Sequence, residues 1–278
     1  MVAPIYVLFA VFLIVPTIAG FYYALTDFSA RRERTFVWFD NFGTIFQDRT
    51  FWIAMRNTVY IVVAVVPSSL VVSLAIAAVV TRRSATLRSF VRGSFYLPVT
   101  LSAVTLSLTW SYIFHPTVGV ANYLLSLLGI EPVTWLGDAR FALLSIIIIL
   151  FTTHLGVPVV LYSAALGGVP ETYYEAARLD GASSLQQFVH VSVPMIRPTT
   201  LYLLVTSTIG TFQVFVYVRL LTGGGPGNAT QTLAYYLYER AFVYGDFGLA
   251  SAVGVVLFAV VLLIAAAQLR LTRSDIEY

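Results

Sequence analysis

Six long apolar stretches constrain this chain more than any other feature. They cover residues 4–25, 58–80, 95–114, 141–166, 199–221 and 249–269. Each is long enough to cross the hydrocarbon core of a bilayer, which takes roughly 20 helical residues. Backbone groups in lipid need partners within their own segment, so helices are predicted; strands are excluded because the runs do not alternate. With 10% charged residues among 278 and a mean hydropathy of +0.85, we predict one all-α membrane domain, 1–278, with six transmembrane helices.

Two residue types are missing, and their absence excludes several kinds of site. The chain has no cysteine, and its 16 basic residues are all arginine. Disulfides, thiolate metal sites and Schiff-base chemistry are therefore excluded. A Walker A loop, which ends in Gly-Lys-Ser/Thr, is excluded as well. We expect no metal or cofactor on this chain, and any ATP and Mg would be bound by a separate chain.

The first apolar stretch has the position of a signal peptide but lacks two of its features. No basic region precedes it, and no Ala-x-Ala follows its apolar run. We expect a retained first span whose upstream cytoplasmic tail is short or missing.

The arginines suggest the orientation. The loop 81–92 is the densest in arginine, which predicts a cytoplasmic position. If both termini lie on that side, it carries Arg82, Arg83, Arg88, Arg92, Arg178, Arg197, Arg270 and Arg273. The other side carries Arg31, Arg32, Arg34, Arg49, Arg56, Arg140 and Arg240. Density rather than this nearly equal count favours cytoplasmic termini, with outer loops at about 26–57, 115–140 and 222–248.

The polar gap between the fourth and fifth stretches, about 167–198, predicts a surface helix-turn-helix. Pro170 and Glu171 favour a helix start, and Gly181 favours its end. A capping box beginning at Ser184 would start a second helix, which would end before Pro194.

The first of these helices has features of a docking element. The small side chains of Ala176 and Ala177 leave one face of the helix without bulky groups, so another protein could approach closely. Glu175 and Arg178, three residues apart, could pair with each other or reach across an interface. The alternative is an ordinary amphipathic surface helix without a partner.

The same segment resembles a known signature. The matching residues are Glu175, Ala176, Ala177, Gly181, Val191, Val193 and Pro194. In this order and spacing they resemble the cytoplasmic loop of ABC importer permeases, and Asp180, Ala182, Phe188 and Pro198 are similar to its carbohydrate branch. Further similarity is found at Asn41, Phe42, Asn57, Thr58, Trp110, Phe114, Gly119, Asn122, Gly129, Gly224, Gly225, Pro226, Thr232, Tyr238, Ala241, Phe242, Gly248, Ala250, Ser251 and Ala252. The chain most resembles the larger-type partner of maltose and glycerol-3-phosphate importers, without the maltose member's large periplasmic insertion.

The resemblance implies a type I importer permease in the bacterial inner membrane. Its partners would be a second, paralogous six-span permease, two ATPases and an extracytoplasmic binding protein, with membrane lipid around it and no nucleic acid. The ATPase-coupling residues would be Glu175, Ala176, Ala177, Arg178, Asp180 and Gly181, and those near the binding protein Gly224, Gly225 and Pro226. The chain would not itself be an enzyme. It would import a sugar, oligosaccharide or glycerol-phosphate-type solute by alternating access.

Polar and aromatic residues within the spans are candidates for the substrate path. They are Gln213, Thr208 and Tyr217 in the fifth stretch and Trp110 and Tyr112 in the third. The alternative is hydrogen bonding between helices, or an interfacial aromatic belt. His154 is interpreted as a neutral, hydrogen-bonded structural residue, and Gly156 with Pro158 as a kink or close crossing.

Two other functions were weighed against the importer permease. A stand-alone secondary transporter would need Asp or Glu within the spans, and the six stretches contain none. An intramembrane enzyme would need paired acids or a serine with a histidine. His115, His154 and His190 fall in different compartments.

Overall fold

A computed structural model describes residues 3–29, 35–81 and 83–272, and nearly all of them lie in helices. Arg31, Arg32, Arg34, Arg82 and Arg273, which enter the charge count, lie outside the described residues. The first part of the chain contains α1 (Ala3–Phe9), a π-helical segment (Ala10–Ile14), α2 (Val15–Ala24), β1 (Thr26–Asp27), β2 (Thr35–Phe36) and α3 (Asp40–Gln47). The two strands pair antiparallel.

The middle part contains the longest helix. Its elements are α4 (Arg49–Thr81), α5 (Ala85–Thr100), α6 (Ala103–Ile113), α7 (Val120–Leu127), α8 (Ala139–Thr153) and α9 (Gly156–Gly167). The last part contains α10 (Glu171–Leu179), α11 (Ser184–Gln187), a π-helical segment (Phe188–Ser192), α12 (Val193–Met195), α13 (Arg197–Phe212), α14 (Val216–Leu221), α15 (Leu233–Tyr238), a π-helical segment (Glu239–Val243) and α16 (Phe247–Thr272).

Helical stretches long and apolar enough to cross a membrane occur five times in the described residues. They are Pro4–Ala24, Arg49–Thr81, Ala139–Gly167, Arg197–Leu221 and Phe247–Leu271. The remaining predicted span, 95–114, is not one helix: it falls on α5 and α6, which are separated at Leu101. Leu101 is extended, and the Ser102 hydroxyl caps α6 by accepting from the Thr105 N–H at 3.1 Å. The expectation of an unbroken third helix was wrong because a local cap competes with continuation.

The core lies where α4 packs against α8, α9 and α13, and where α16 packs against α13 and α2. Its innermost side chains include Val66, Tyr162, Leu203 and Phe212. By contrast, the side chains of α1 from Pro4 to Phe9 are exposed. This apolar helix therefore lies against lipid or another chain.

The fourth and fifth predicted spans are also interrupted. The break between α8 and α9 lies at His154 and Leu155. Pro158 contributes to this break because it has no N–H to donate to the carbonyl of His154. The break confirms the predicted kink. Between α13 and α14 the break covers Gln213 to Phe215.

Gly156 allows α5 and α9 to cross closely next to the break between α8 and α9. A Cβ at Gly156 would lie 2.4 Å from the Phe95 carbonyl oxygen and 2.6 Å from Val99 Cγ2. We expect Gly156→Ala to lower the free energy of unfolding by about 1–3 kcal/mol, because backbone has to move. Thermal unfolding of the purified protein measures this. Gly167→Ala, on the same helix with no atom within 4 Å, is the control and is expected to cause no loss. Equal melting temperatures for Gly156→Ala and wild type would contradict the close crossing.

Candidate functional site

The end of α10 follows the local signals in its sequence. Gly181 has φ +79°, and its N–H donates to the Arg178 carbonyl at 3.1 Å. The Ala182 N–H donates to the Ala177 carbonyl at 2.9 Å, which completes a Schellman motif. The predicted helix end at Gly181 is therefore confirmed. Asp180, the residue before the glycine, is exposed.

The second half of the helix-turn-helix corrects two expectations. The capping box begins at Ser183, not Ser184: the Ser183 N–H donates to Gln186 Oε1 at 2.8 Å, and the Ser183 hydroxyl accepts from the Gln186 N–H at 3.4 Å. The helical path also continues through Pro194 rather than ending before it. The Val193 N–H donates to the Phe188 carbonyl, and this wider π turn precedes a residue that has no N–H to donate.

The helix α10 presents two faces. Glu171, Tyr174 and Arg178 line a cavity of about 960 Å³ and form what we call the cavity face. The Tyr174 hydroxyl lies 2.8 Å from the Ser192 hydroxyl, which ties this face to the following helical segment. Arg178 donates to Glu171 Oε1 at 2.5 Å, so its partner within the chain is Glu171 and not Glu175.

A neighbouring face of the helix is exposed. We call it the docking face, and it consists of the exposed residues Thr172, Glu175, Ala176 and Leu179. Their spacing of i, i+3, i+4 and i+7 forms one stripe on a helix. Leu179 is 89% exposed, and Ala177 is partly buried at the edge of the stripe. An exposed stripe that has a small residue, Ala176, at its middle and an exposed leucine at its end is suited to insertion into a groove on another protein.

A second cavity, of about 320 Å³, lies beside the breaks in the third and fourth spans and is also lined by Gly210 and Tyr217, on either side of the break in the fifth; we call it the central cavity. Its lining residues are Pro98, Val99, Leu101, Ala103, Leu106, Thr153, His154, Val157, Pro158, Leu203, Thr206, Ser207, Gly210 and Tyr217. Broken helices expose backbone groups and leave space in the middle of a membrane domain, where transporters bind solutes.

The central cavity has mostly apolar walls that carry a few uncharged polar groups. Hydroxyls come from Thr153, Thr206, Ser207 and Tyr217, and His154 adds an imidazole. His154 Nδ1 donates to the Leu150 carbonyl at 2.8 Å. In the neutral ring this leaves Nε2 as a hydrogen-bond acceptor. Hydroxyl, imidazole and phenol groups on apolar walls suit a hydroxyl-rich solute.

Of the five residues predicted for the substrate path, the structure brings only Tyr217 to the central cavity. Thr208 is buried in the contact between α13 and α16, where its hydroxyl accepts from Gln268 Nε2 at 2.9 Å. Trp110 lies beside Phe114, with ring centroids 5.2 Å apart. Tyr112 is 72% exposed, and Gln213 is exposed at the end of α13. His154 and the hydroxyls of Thr153, Thr206 and Ser207 were missed as cavity residues, although Gly156 and Pro158 marked the nearby kink.

The glycine-rich loop after α14 is held rigidly against the start of the second span. Asn57 Nδ2 donates to the carbonyls of Asn228, Ala229 and Gln231 at 3.2, 3.1 and 3.0 Å. Gly224 has φ +79°, and a Cβ there would lie 2.1 Å from Gln231 Oε1. Gly225 and Pro226 are partly buried and joined by a cis peptide bond. The three Asn57 hydrogen bonds and the lack of room for a side chain at Gly224 thus define the path of this loop.

A charged cluster connects the α3–α4 junction to α15. Asp48 Oδ2 accepts from the Tyr236 hydroxyl at 2.6 Å and from Arg240 at 2.5 Å. Burial alone would raise the pKa of Asp48, but the Tyr236 and Thr50 hydrogen bonds and the charge of Arg240 lower the pKa below its ordinary value. Asp48 therefore stays ionised in this cluster. The described residues contain no group of three or more side chains that could hold a metal ion.

Comparisons with known proteins agree with this arrangement. The profile of the family "Binding-protein-dependent transport system inner membrane component" matches residues 69–274, a range that includes α10 and the central cavity. The probable ABC transporter permease protein YurN of Bacillus subtilis (strain 168) is 33% identical over 97% of this chain and 94% of its own length. The sulfoquinovosyl glycerol transport system permease protein SmoG of Agrobacterium fabrum is 31% identical, over 86% of this chain and 77% of its own length.

A solved structure is similar over the whole chain. It is the crystal structure of a bacterial ABC transporter involved in the import of the acidic polysaccharide alginate. The TM-score is 0.86 at 25% sequence identity, covering 100% of this chain and 95% of the other. On the family match and the identity to permeases, this chain belongs to the binding-protein-dependent transport system inner membrane components, as a permease of an ABC importer.

Proposed function

We propose that this chain forms half of the membrane pore of a sugar importer in the bacterial cytoplasmic membrane. A second, paralogous permease completes the pore, two ATPases drive it, and an extracytoplasmic binding protein delivers the solute. The chain crosses the membrane six times, with α5 and α6 together making the third crossing. It carries no cofactor, and ATP with Mg is bound by the ATPases.

The docking face of α10 is the observation that carries this proposal. Glu175, Ala176 and Leu179 are exposed along a helix whose cavity face is joined to the following segment by the Tyr174–Ser192 hydrogen bond. Such a helix transmits a push from the ATPase to the spans that flank it. Asp180 and Gly181 end the helix and fix the direction in which the chain leaves it. Arg178 does not contact the ATPase directly but binds Glu171 on the cavity face.

The same end of the bundle is proposed to face the cytoplasm. Arg83, in the α4–α5 connection, and Arg88, near the start of α5, line one cavity together with Arg178 of α10. The arginine-dense loop and the docking helix are therefore neighbours, and the positive-inside rule assigns both to the cytoplasm. Both termini are then cytoplasmic, and the loop of Gly224, Gly225 and Pro226 faces the binding protein.

The central cavity is proposed as the part of the path that selects the solute. Its lining residues include no arginine and no carboxylate. A phosphate would thus find no counter-charge there, whereas sugar hydroxyls would find donors and acceptors in Thr153, His154 and Ser207, and the Tyr217 ring could pack on a sugar face. We therefore favour an uncharged sugar or oligosaccharide over a glycerol phosphate.

Purification of the tagged chain from its native membrane in mild detergent tests the assembly. We expect a second six-span permease and an ATPase to be recovered with it in stoichiometric amounts. A chain that is recovered alone, yet transports a sugar after reconstitution without ATP, would contradict the proposal and support a secondary transporter.

A further inference from the structure

The cavity behind α10 combines an apolar wall with a basic one; we call it the basic cavity. Its volume is about 960 Å³. The apolar wall comes from the last turns of two spans and from the following helices: Ala78, Val79, Leu166, Val169, Leu185 and Phe188. The basic wall consists of Arg83, Arg88 and Arg178. A ligand that fits both walls is itself amphipathic and carries negative charge.

The charges of this cavity are not balanced within the chain. Glu171 is the one carboxylate in its lining, and it accepts from Arg178. Arg88 donates through one terminal nitrogen to the Arg83 carbonyl at 3.3 Å, while its Nε is buried without a hydrogen-bond partner in the part of the chain that the structure describes. Neither Arg83 nor Arg88 forms an ion pair with a described residue. A buried guanidinium N–H without a partner is costly, and an anion would satisfy it.

The cavity also lies at the level where lipid headgroups are found. It opens where α4 ends at Thr81 and α9 ends at Gly167, which are the ends of two membrane-spanning stretches. Basic pockets between helices at this level bind anionic lipid headgroups.

We propose that the basic cavity binds the phosphate headgroup of an anionic phospholipid, with Arg83 and Arg88 on the phosphate and the glycerol end of the lipid along Ala78, Val79 and Leu166. The assignment of this end of the bundle to the cytoplasm rests on the function proposed above. Because Tyr174 and Arg178 line the same cavity, the bound lipid supports α10 from behind. The charge of the headgroup therefore affects how well α10 is held in the position in which its docking face contacts the ATPase.

The test counts lipids on the purified complex. The importer is exchanged into nanodiscs of phosphatidylcholine with or without phosphatidylglycerol, and tightly bound lipid is counted by native mass spectrometry. Wild type is expected to retain phosphatidylglycerol. The double variant Arg83→Gln, Arg88→Gln is expected to bind it about thirtyfold more weakly. This fold-change corresponds to about 2 kcal/mol, because each arginine near an anionic lipid contributes about 1 kcal/mol.

Arg270→Gln is the matched control, because Arg270 is an exposed arginine near the end of α16 that does not line the cavity. It should retain the lipid as wild type does. Inorganic phosphate at millimolar concentration separates the two sources of a phosphate group: if it displaces the lipid, the cavity takes free anions and the lipid assignment is wrong. Equal lipid retention by wild type and the double variant would overturn the proposal.

ATPase recovery with the complex is measured in parallel, so that the two proposals fail separately. Lipid retention without any ATPase would leave the cavity assignment standing and contradict the importer assembly. An intact complex that retains no phosphatidylglycerol would support the importer assembly and contradict the cavity assignment. ATPase activity in phosphatidylglycerol relative to phosphatidylcholine should rise for wild type and Arg270→Gln, and stay flat for the double variant.

Discussion

Ala176→Trp is expected to detach the ATPase from this chain while leaving the permease folded. Ala176 is exposed in the middle of the docking face, so an indole there meets nothing within the chain and projects into the space that the ATPase groove has to fill. Overfilling a close-packed interface costs about 1–3 kcal/mol, and more at its centre. We therefore expect recovery of the ATPase with the tagged permease to fall about tenfold or more, and transport to fall with it.

Tyr173→Trp is the control for this substitution. Tyr173 is exposed on the same helix and is already aromatic, so a tryptophan there adds little volume to the helix surface. It should retain the ATPase, and the second permease should be recovered with both variants. If Ala176→Trp kept a full complement of ATPase, the docking face would be wrongly assigned.

Gly210→Leu is expected to block transport without disturbing assembly. Gly210 lines the central cavity, and a Cβ built there has no atom within 4 Å. The leucine therefore fits the free protein but occupies the space that the solute needs. Overlap with a solute costs about 1–3 kcal/mol, so solute uptake into proteoliposomes should fall about tenfold. Basal ATP hydrolysis by the complex should persist.

The size of the substituent and its position provide the controls for Gly210. Gly210→Ala should reduce uptake less than Gly210→Leu, since only the filled volume differs. Gly43→Leu places the same side chain on α3, also with no atom within 4 Å, and should transport as wild type does. Unchanged uptake by Gly210→Leu would remove the central cavity from the solute path.

The parts of this protein that sequence could predict are those with local causes. The docking helix begins and ends where Pro170 and Gly181 require, because both act through their own backbone. The capping box was misplaced by one residue because Ser183 and Ser184 each precede a glutamine by three. In the structure Gln186 Oε1 accepts from the Ser183 N–H, whereas the Gln187 amide donates to the Ala182 carbonyl at 2.9 Å.

The span breaks and the cavity depend on contacts between distant residues. Apolar content does not report helix continuity, so α5 and α6 looked like one helix. At the break after α13, Thr232 donates to the Val214 carbonyl at 3.1 Å, and this bond comes from a loop after the next helix. Likewise, Ser207 lines the cavity and Thr208 does not, since one residue turns a helix by about 100°. Residue type alone does not reveal that rotation.

The anchoring of the glycine-rich loop by Asn57 has a consequence for how the chain is made. The residues that accept its hydrogen bonds follow it by 171 to 174 positions. The Thr58 hydroxyl likewise accepts from the Leu233 N–H at 3.0 Å. During synthesis the second span therefore enters the membrane with its Asn57 amide unbound, because the residues that accept its hydrogen bonds follow only after three more crossings. Contacts between residues so far apart in sequence form late in folding. The end of the bundle that contains Asn57 therefore completes its folding only after the chain has been synthesised past Gln231.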